Sequence, residues 1–319
     1  MERKRTLKVG LHIGKFDWPG NPNNIGEKLG TIAKTAEENG FYSLWVMDHL
    51  FQLGTQYGII HGPVEAPMLE GYSTIAYLAA LTQKIKIGLM VTCPFFRHPG
   101  LLGKIVSTID VLSKGRTYLG IGAGWFEHEA KGLGIPFPSL AERFKRLEET
   151  LQIIKQMWNG NTDPYEGKYY RLSEPINSPQ PLSTPHPPIM IGGSGEKKTL
   201  RLVAKYADAS NIVVGSPFEE FGNLYGSHEA VIHYLQRKID VLKQHCKDIG
   251  RPYDEIEKTV GTYIKLPSDC MSTDEIITFC GKLVELGFQH VIFNIPNVHE
   301  ITPLNILGKE VIPTVEKLD

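Results

Sequence analysis

Cysteine is scarce in this chain. There are four in 319 residues, and Cys93, Cys246, Cys270 and Cys280 show neither a CxxC pair nor zinc-type spacing. That excludes a disulfide scaffold and a thiolate metal centre, and it points to reduced thiols in a cytoplasmic protein. An excess of charge is also missing: 34 Lys and Arg stand against 35 Asp and Glu, and the only basic run is Arg3-Lys4-Arg5. Nucleic-acid and membrane-surface partners call for more positive charge, so neither is expected. No apolar run approaches the roughly 20 residues that span a bilayer, and the N-terminus has no signal-peptide h-region. No GxGxxG joins the first strand to the first helix, as a dinucleotide-binding sheet would require. No HxH is present either; His12, His49 and His61 lie apart, which disfavours a metal hydrolase.

What the chain does have is rhythm. Residues 85–129 read as strand, helix and strand, followed by a glycine-rich exit. Ile85, Ile87, Leu89 and Val91 alternate as a strand should. Pro99 is suited to opening a helix. Leu101, Leu102, Ile105, Val106, Ile109 and Leu112 give that helix an apolar stripe, and Gly115 caps it. Other strands are predicted at Leu7 to Gly14, Tyr42 to Met47, Tyr118 to Ile121, Pro188 to Ile191, Asp208 to Val213, Lys258 to Lys265 and His290 to Ile295. Capping boxes are expected at Asn24/Glu27, Ser139/Glu142 and Ser272/Glu275. Pro313 should kink or divide the last helix. Residues 159–188 break the rhythm with seven prolines and a short hairpin at EGKYYRL. Eight strands alternating with helices fit a single (β/α)8 TIM barrel across residues 1–319, with residues 159–188 inserted between the fourth helix and fifth strand.

In such a barrel the carboxyl ends of the strands share one mouth, where the chemistry is expected. Asp48-His49, at the end of strand two, is the sharpest titratable pair. Histidine moves protons near neutrality, and a neighbouring carboxylate can hold its tautomer; a structural histidine at a strand end is the competing reading. Gly192-Gly193-Ser194-Gly195 before a helix offers free N–H groups to an anion, although an ordinary tight turn would look the same. Gly122-Ala123-Gly124 would let a flat ligand approach the backbone, but close packing of strand and helix explains it equally.

Four stretches carry a resemblance: LWVMDHL at strand two, RHPGLLGKIVSTIDVLSKGR through helix three, LGIGAGWFEHEAKGLGIPFPSLAERFKRLEE after strand four, and IGGSGEKKTLRLVAKYAD after strand five. Together they resemble the bacterial luciferase-like monooxygenase superfamily, whose members are flavin-using (β/α)8 barrels. The resemblance implies a flavin-dependent oxidoreductase or monooxygenase acting on a small organic substrate, with FMN or coenzyme F420 as cofactor, and a homodimer is expected. It makes His49 the proton-transfer residue beside Asp48. It matches Met90-Val91 to a dipeptide that in many members has a non-prolyl cis bond against the ring, with Thr92 able to hydrogen-bond that ring. It matches Gly122 and Ala123 to the ring edge. Gly192, Gly193 and Ser194, with Thr199, match the turn that holds the phosphate. One departure matters: deazaflavin sugar dehydrogenases of this superfamily carry a catalytic glutamate where this chain has Ala123, and Glu127 lies one helical turn further on. The alternatives are a non-catalytic flavin-binding barrel, or a phosphate-dependent barrel lyase or isomerase for which Lys265 is the only obvious Schiff-base lysine.

Overall fold

The computed structural model describes residues 6–54, 61–215, 228–268 and 271–318. Cys270 and residues 55–60 of the loop after the second strand therefore lie outside the described residues. The strands are β1 (Lys8–Ile13), β2 (Ser43–Val46), β3 (Lys86–Leu89), β4 (Thr117–Ile121), β5 (Tyr165–Glu166), β6 (Arg171–Leu172), β7 (Ile189–Gly192), β8 (Ala209–Val213), β9 (Glu257–Tyr263) and β10 (His290–Asn294). Eight of them close a barrel in the order β1-β10-β9-β8-β7-β4-β3-β2, with every pairing parallel. The short antiparallel β5–β6 hairpin stands apart, at the expected EGKYYRL segment.

The helices that position the site are α1 (Ile25–Glu38), α2 (Gly71–Leu81), α3 (Pro99–Leu112), α4 (Glu127–Gly132), α5 (Leu140–Trp158), α6 (Thr199–Tyr206), α7 (His228–Asp248) and α8 (Thr273–Glu285). Their apolar stripes and the outer faces of the strands form the main core, including Leu29, Ile32, Leu102, Val106, Leu147 and Ile154. A second, smaller core fills the barrel interior with Trp45, Tyr118, Met190, Ala209 and Ile292. Gly88 makes room for the indole of Trp45, because a Cβ there would stand 2.6 Å from the ring.

Local signals held unevenly. Ser272 and Glu275 form the full reciprocal capping box of α8. At α5 only half of it forms: Ser139 accepts from the Glu142 N–H, while the Glu142 carboxylate turns to Arg146 at 2.7 Å. An i,i+4 ion pair has taken the acid that the cap would use. Asn24 makes no side-chain cap at all, and its amide lies against Gly20, where a Cβ would be 2.4 Å away. The last helical run is divided as expected: Leu307–Val311 is a π turn leading into Ile312–Val315, which contains Pro313. The short helix α4 is an addition that the sequence reading did not include.

The amino-terminal end of the barrel is closed by polar side chains. Lys8 pairs with Glu257 at 2.8 Å, and His290, fully buried, hydrogen-bonds Ser43 at 2.8 Å. Burial pushes His290 down to about 4, against the opposing pull of Glu257. Burial likewise pushes His12 down to about 3 and His61 to about 4 at the other end. The folded protein keeps these imidazoles neutral while the unfolded chain protonates them near pH 6.5, so the unfolded state binds more protons between pH 6.5 and 4. Stability therefore rises with pH across that window and falls on acidification. The melting temperature is expected to drop steadily from pH 7 to pH 4.5. A flat profile would mean that these histidines titrate alike in both states.

Candidate active site

Two connected cavities open at the carboxyl ends of the strands, of about 450 and 330 Å³. They share His49, Met90, Trp125 and Val213.

The floor of the larger cavity is built where β3 stops. The Met90–Val91 peptide is cis, as expected, and Val91 is turned onto the bare ends of β4 and β7. A Cβ on Gly122 or on Gly192 would lie 2.8 Å from a Val91 methyl group. Glycine at both positions is thus what lets three strand ends meet in one flat surface. Met90, Val91, Gly122, Ala123, Gly192, Gly193 and Thr199 all line this cavity.

Thr92 does not. It is fully buried, its hydroxyl donates to Asp48, and Gly122 N–H donates to its carbonyl at 3.0 Å. The chain turns at Val91, so the next side chain points away from the mouth, and the expected hydrogen bond from Thr92 to a ring is not available. Ser194, the other departure, is half-buried beside the turn and outside the cavity lining.

The expected Asp48–His49 pairing is also replaced. The Asp48 carboxylate is gripped by Arg97, with Nη1 at 2.6 Å and Nη2 at 2.9 Å, and Arg97 also pairs with Glu70 and stacks over Tyr72. Burial pulls the Arg97 guanidinium down, but Asp48 outweighs it, and the group is held above its ordinary range. His49 turns instead to Glu129, whose Oε1 lies 2.7 Å from Nδ1. The other oxygen of Glu129 accepts the N–H groups of Leu50 at 2.5 Å and Phe51 at 3.3 Å. Glu129 is 1 % exposed, whereas Glu127, the acid noted from the sequence, pairs outward with Lys131 at 2.9 Å. A carboxylate on Nδ1 makes that nitrogen the protonated one and leaves Nε2 free for the cavities.

The turn after β7 forms the far wall. Gly193 has φ +122 and donates to Asn211 at 2.9 Å. α6 starts only at Thr199, and the N–H groups of Ser194 to Lys198 find no acceptor among the described residues. Glu196 is clamped to α7 by Lys238 at 2.6 Å and Arg237 at 2.9 Å. Across the cavity stands Arg143 of α5, 9 % exposed, stacked 4.2 Å over Phe137, with its buried Nε unpartnered among the described residues. Sequence reasoning passed over Arg143 and Glu129. Arg143 lies four residues before Leu147 on the inward stripe of α5, which is the signal that was there to be used.

The smaller cavity is lined by His12, His61, Thr262, Tyr263 and Asn294. His12 Nδ1 is 2.9 Å from the Asn294 amide, while His12 Nε2 and His61 Nδ1 are buried without partners among the described residues. Among the described residues no Lys or Arg lines it.

Curated relatives share much of this chain. An F420-dependent glucose-6-phosphate dehydrogenase of Nakamurella multipartita is 29% identical, covering 95% of this chain and 97% of the relative. An FMNH2-dependent dimethylsulfone monooxygenase of Pseudomonas putida is 30% identical over 54% of this chain and 49% of its own. Among solved structures, the coenzyme F420 dependent tetrahydromethanopterin reductase of Methanopyrus kandleri superposes with a TM-score of 0.74 at 18% identity, over 97% of this chain and 99% of that one. The EDTA monooxygenase of Chelativorans sp. BNC1 gives 0.76 at 13% identity, over 98% and 94%. At those identities the likeness concerns the fold alone. The family model for luciferase-like monooxygenase matches residues 15–242, which take in the cavity floor, the His49–Glu129 pair and the turn after β7, and the chain belongs to that family.

Proposed function

We propose that this protein is a flavin-type oxidoreductase that holds coenzyme F420 in the larger cavity and a small organic substrate in the smaller one. The observation that carries the reading is the pairing of a flat, glycine-bared floor with an anion-ready wall. A planar ring fits against Val91, Gly122 and Gly192. A phosphate fits the free N–H groups of Ser194 to Lys198, with Thr199 and the unsatisfied Arg143 beside it. The bound deazaflavin would supply hydride transfer. His49 would move the substrate proton through Nε2, with Glu129 holding its tautomer. Asp48 would act through Arg97, by fixing the loop after β3. Trp125 and Phe126, packed edge-on to His49 at 5.8 and 5.7 Å, would keep water from it.

The relatives aligned over most of the chain carry F420 in their names, which supports the deazaflavin. FMN with oxygen is the second reading, favoured by the Pseudomonas monooxygenase. An uncharged substrate is supported by the lack of Lys and Arg among the described residues that line the smaller cavity. Residues 55–60 and 216–227 contain no Lys or Arg in sequence. Lys265 lines neither cavity, which weighs against a Schiff-base lyase. The same reading makes residues 1–319 one barrel domain with an insertion at 159–188. It also makes the protein cytoplasmic, in keeping with its buried free thiols at Cys93, Cys246 and Cys280. A homodimer is proposed as well, supported by exposed Tyr77, Leu101 and Leu112 on α2 and α3 and checked by sedimentation.

Titration with F420 and with FMN, followed by absorbance and protein fluorescence, tests the cofactor. Saturable micromolar binding of F420 is expected. Binding of FMN alone moves the protein to the second reading, and binding of neither overturns the proposal. Gly122→Ala should weaken cofactor binding roughly 10-fold, because its Cβ displaces Val91 into the ring site at a cost of about 1–3 kcal/mol. Unchanged affinity in the same titration would relocate the ring.

A further inference from the structure

A groove of about 330 Å³ leaves the larger cavity between α5 and α6. The Phe144 ring lines both, so the groove begins where the cofactor phosphate would sit. Its walls carry five cations, Lys145, Lys197, Lys198, Arg201 and Lys205, against the single carboxylate of Glu148. That carboxylate is already taken, by Lys205 at 2.7 Å and Tyr206 at 3.0 Å. Lys198 lies over the Phe144 ring at 5.2 Å, at the entrance. Lys145, Lys197 and Arg201 are exposed and have no ion pair among the described residues. The whole chain has a net charge of −1, so this surplus is local rather than a general trait. Like charges gathered along a narrow channel repel one another and raise the local potential, which suits an extended anion.

We infer that this groove receives the γ-linked glutamate tail of coenzyme F420. The inference rests on the reading above, and it adds a reason to prefer F420 to FMN. FMN ends at its phosphate. F420 continues beyond its phosphate through lactate into a string of carboxylates, and that string leaves the phosphate turn beside Phe144. Lys197 and Lys198 meet its first carboxylates, and Lys145 and Arg201 meet the later ones. The contacts are exposed ion pairs, so the tail adds affinity in modest steps that salt removes.

The test compares F420 carrying several glutamates with the form carrying none, using wild type and a Lys145→Ser/Arg201→Ser variant. Dissociation constants are read by fluorescence at low and high salt. In wild type the long-tailed form is expected to bind roughly 10-fold tighter at low salt, with the gap closing at high salt. In the variant the gap between the two forms should shrink to a few-fold or less, and the tail-free form should bind as it does to wild type. The substituted side chains are exposed, so the melting temperature should not move, and that measurement controls for folding. Equal affinity for both forms in wild type overturns the tail assignment while leaving the deazaflavin reading intact. Equal loss for both forms in the variant would assign these cations to the phosphate instead, and also overturns it. Failure of both forms to bind wild type is the distinct result that overturns the parent proposal.

Discussion

His49→Asn is expected to keep the cofactor and lose turnover by about 10²–10⁴. Asparagine retains a polar group of similar reach, so the Glu129 carboxylate need not be left bare, but it has no group that exchanges a proton near neutrality. The loss should fall on kcat, and cofactor affinity should stay within a few-fold, because the ring floor is made by Val91, Gly122 and Gly192. Glu129→Gln gives a smaller loss through the same residue. Its amide can still meet Nδ1 at the 2.7 Å position, but it no longer imposes one tautomer. The pH dependence of turnover should therefore shift in Glu129→Gln and not in a variant that merely loosens the loop. If His49→Asn turns over like wild type, the histidine is a strand-end packing group and the proton has another carrier.

The second large effect concerns stability. Arg97→Met is expected to cost about 3–5 kcal/mol. The Asp48 side chain is 0% exposed and the Arg97 side chain 11%. With the guanidinium gone, the carboxylate keeps only the Thr92 hydroxyl among the described residues, and its burial shuts it off from bulk solvent as a replacement for the two lost bonds at 2.6 and 2.9 Å. Removing one partner of a buried pair is far worse than removing both. Asp48→Asn/Arg97→Met should accordingly recover most of the stability. Chemical denaturation of the two variants measures the difference, and a double variant no more stable than Arg97→Met would show that Asp48 contributes through something other than its charge. Because this network reaches Thr92, directly after the cavity floor, both variants should also loosen cofactor binding. A loss of that kind would give Asp48 a positioning role.

The order of strands and helices was legible because the signals for it are local. Alternation over four to six residues, a proline opening α3 and a glycine ending it do not depend on distant partners. Eight such units already imply a closed parallel barrel, and parallel strands put every following loop at one mouth. The placement of His49 and the two glycine turns at that mouth, lining a cavity, followed from that. Capping was less legible: Asn24 makes no cap, and at Glu142 a nearby arginine takes the carboxylate that the cap would use.

What the sequence by itself determined, then, is the barrel, its family and the mouth where the cavities open; the tertiary structure decided who faces whom there. Asp48 and His49 are neighbours in the chain, yet one turns to Arg97 and the other to Glu129, 80 residues away. Thr92 and Val91 are neighbours too, and only Val91 reaches the cavity. Adjacent side chains at a strand end diverge by nature, and the sense in which they diverge is set by where the strand stops. That stop depends on how β2, β3 and β4 come together when the barrel closes, and no short window of sequence contains it.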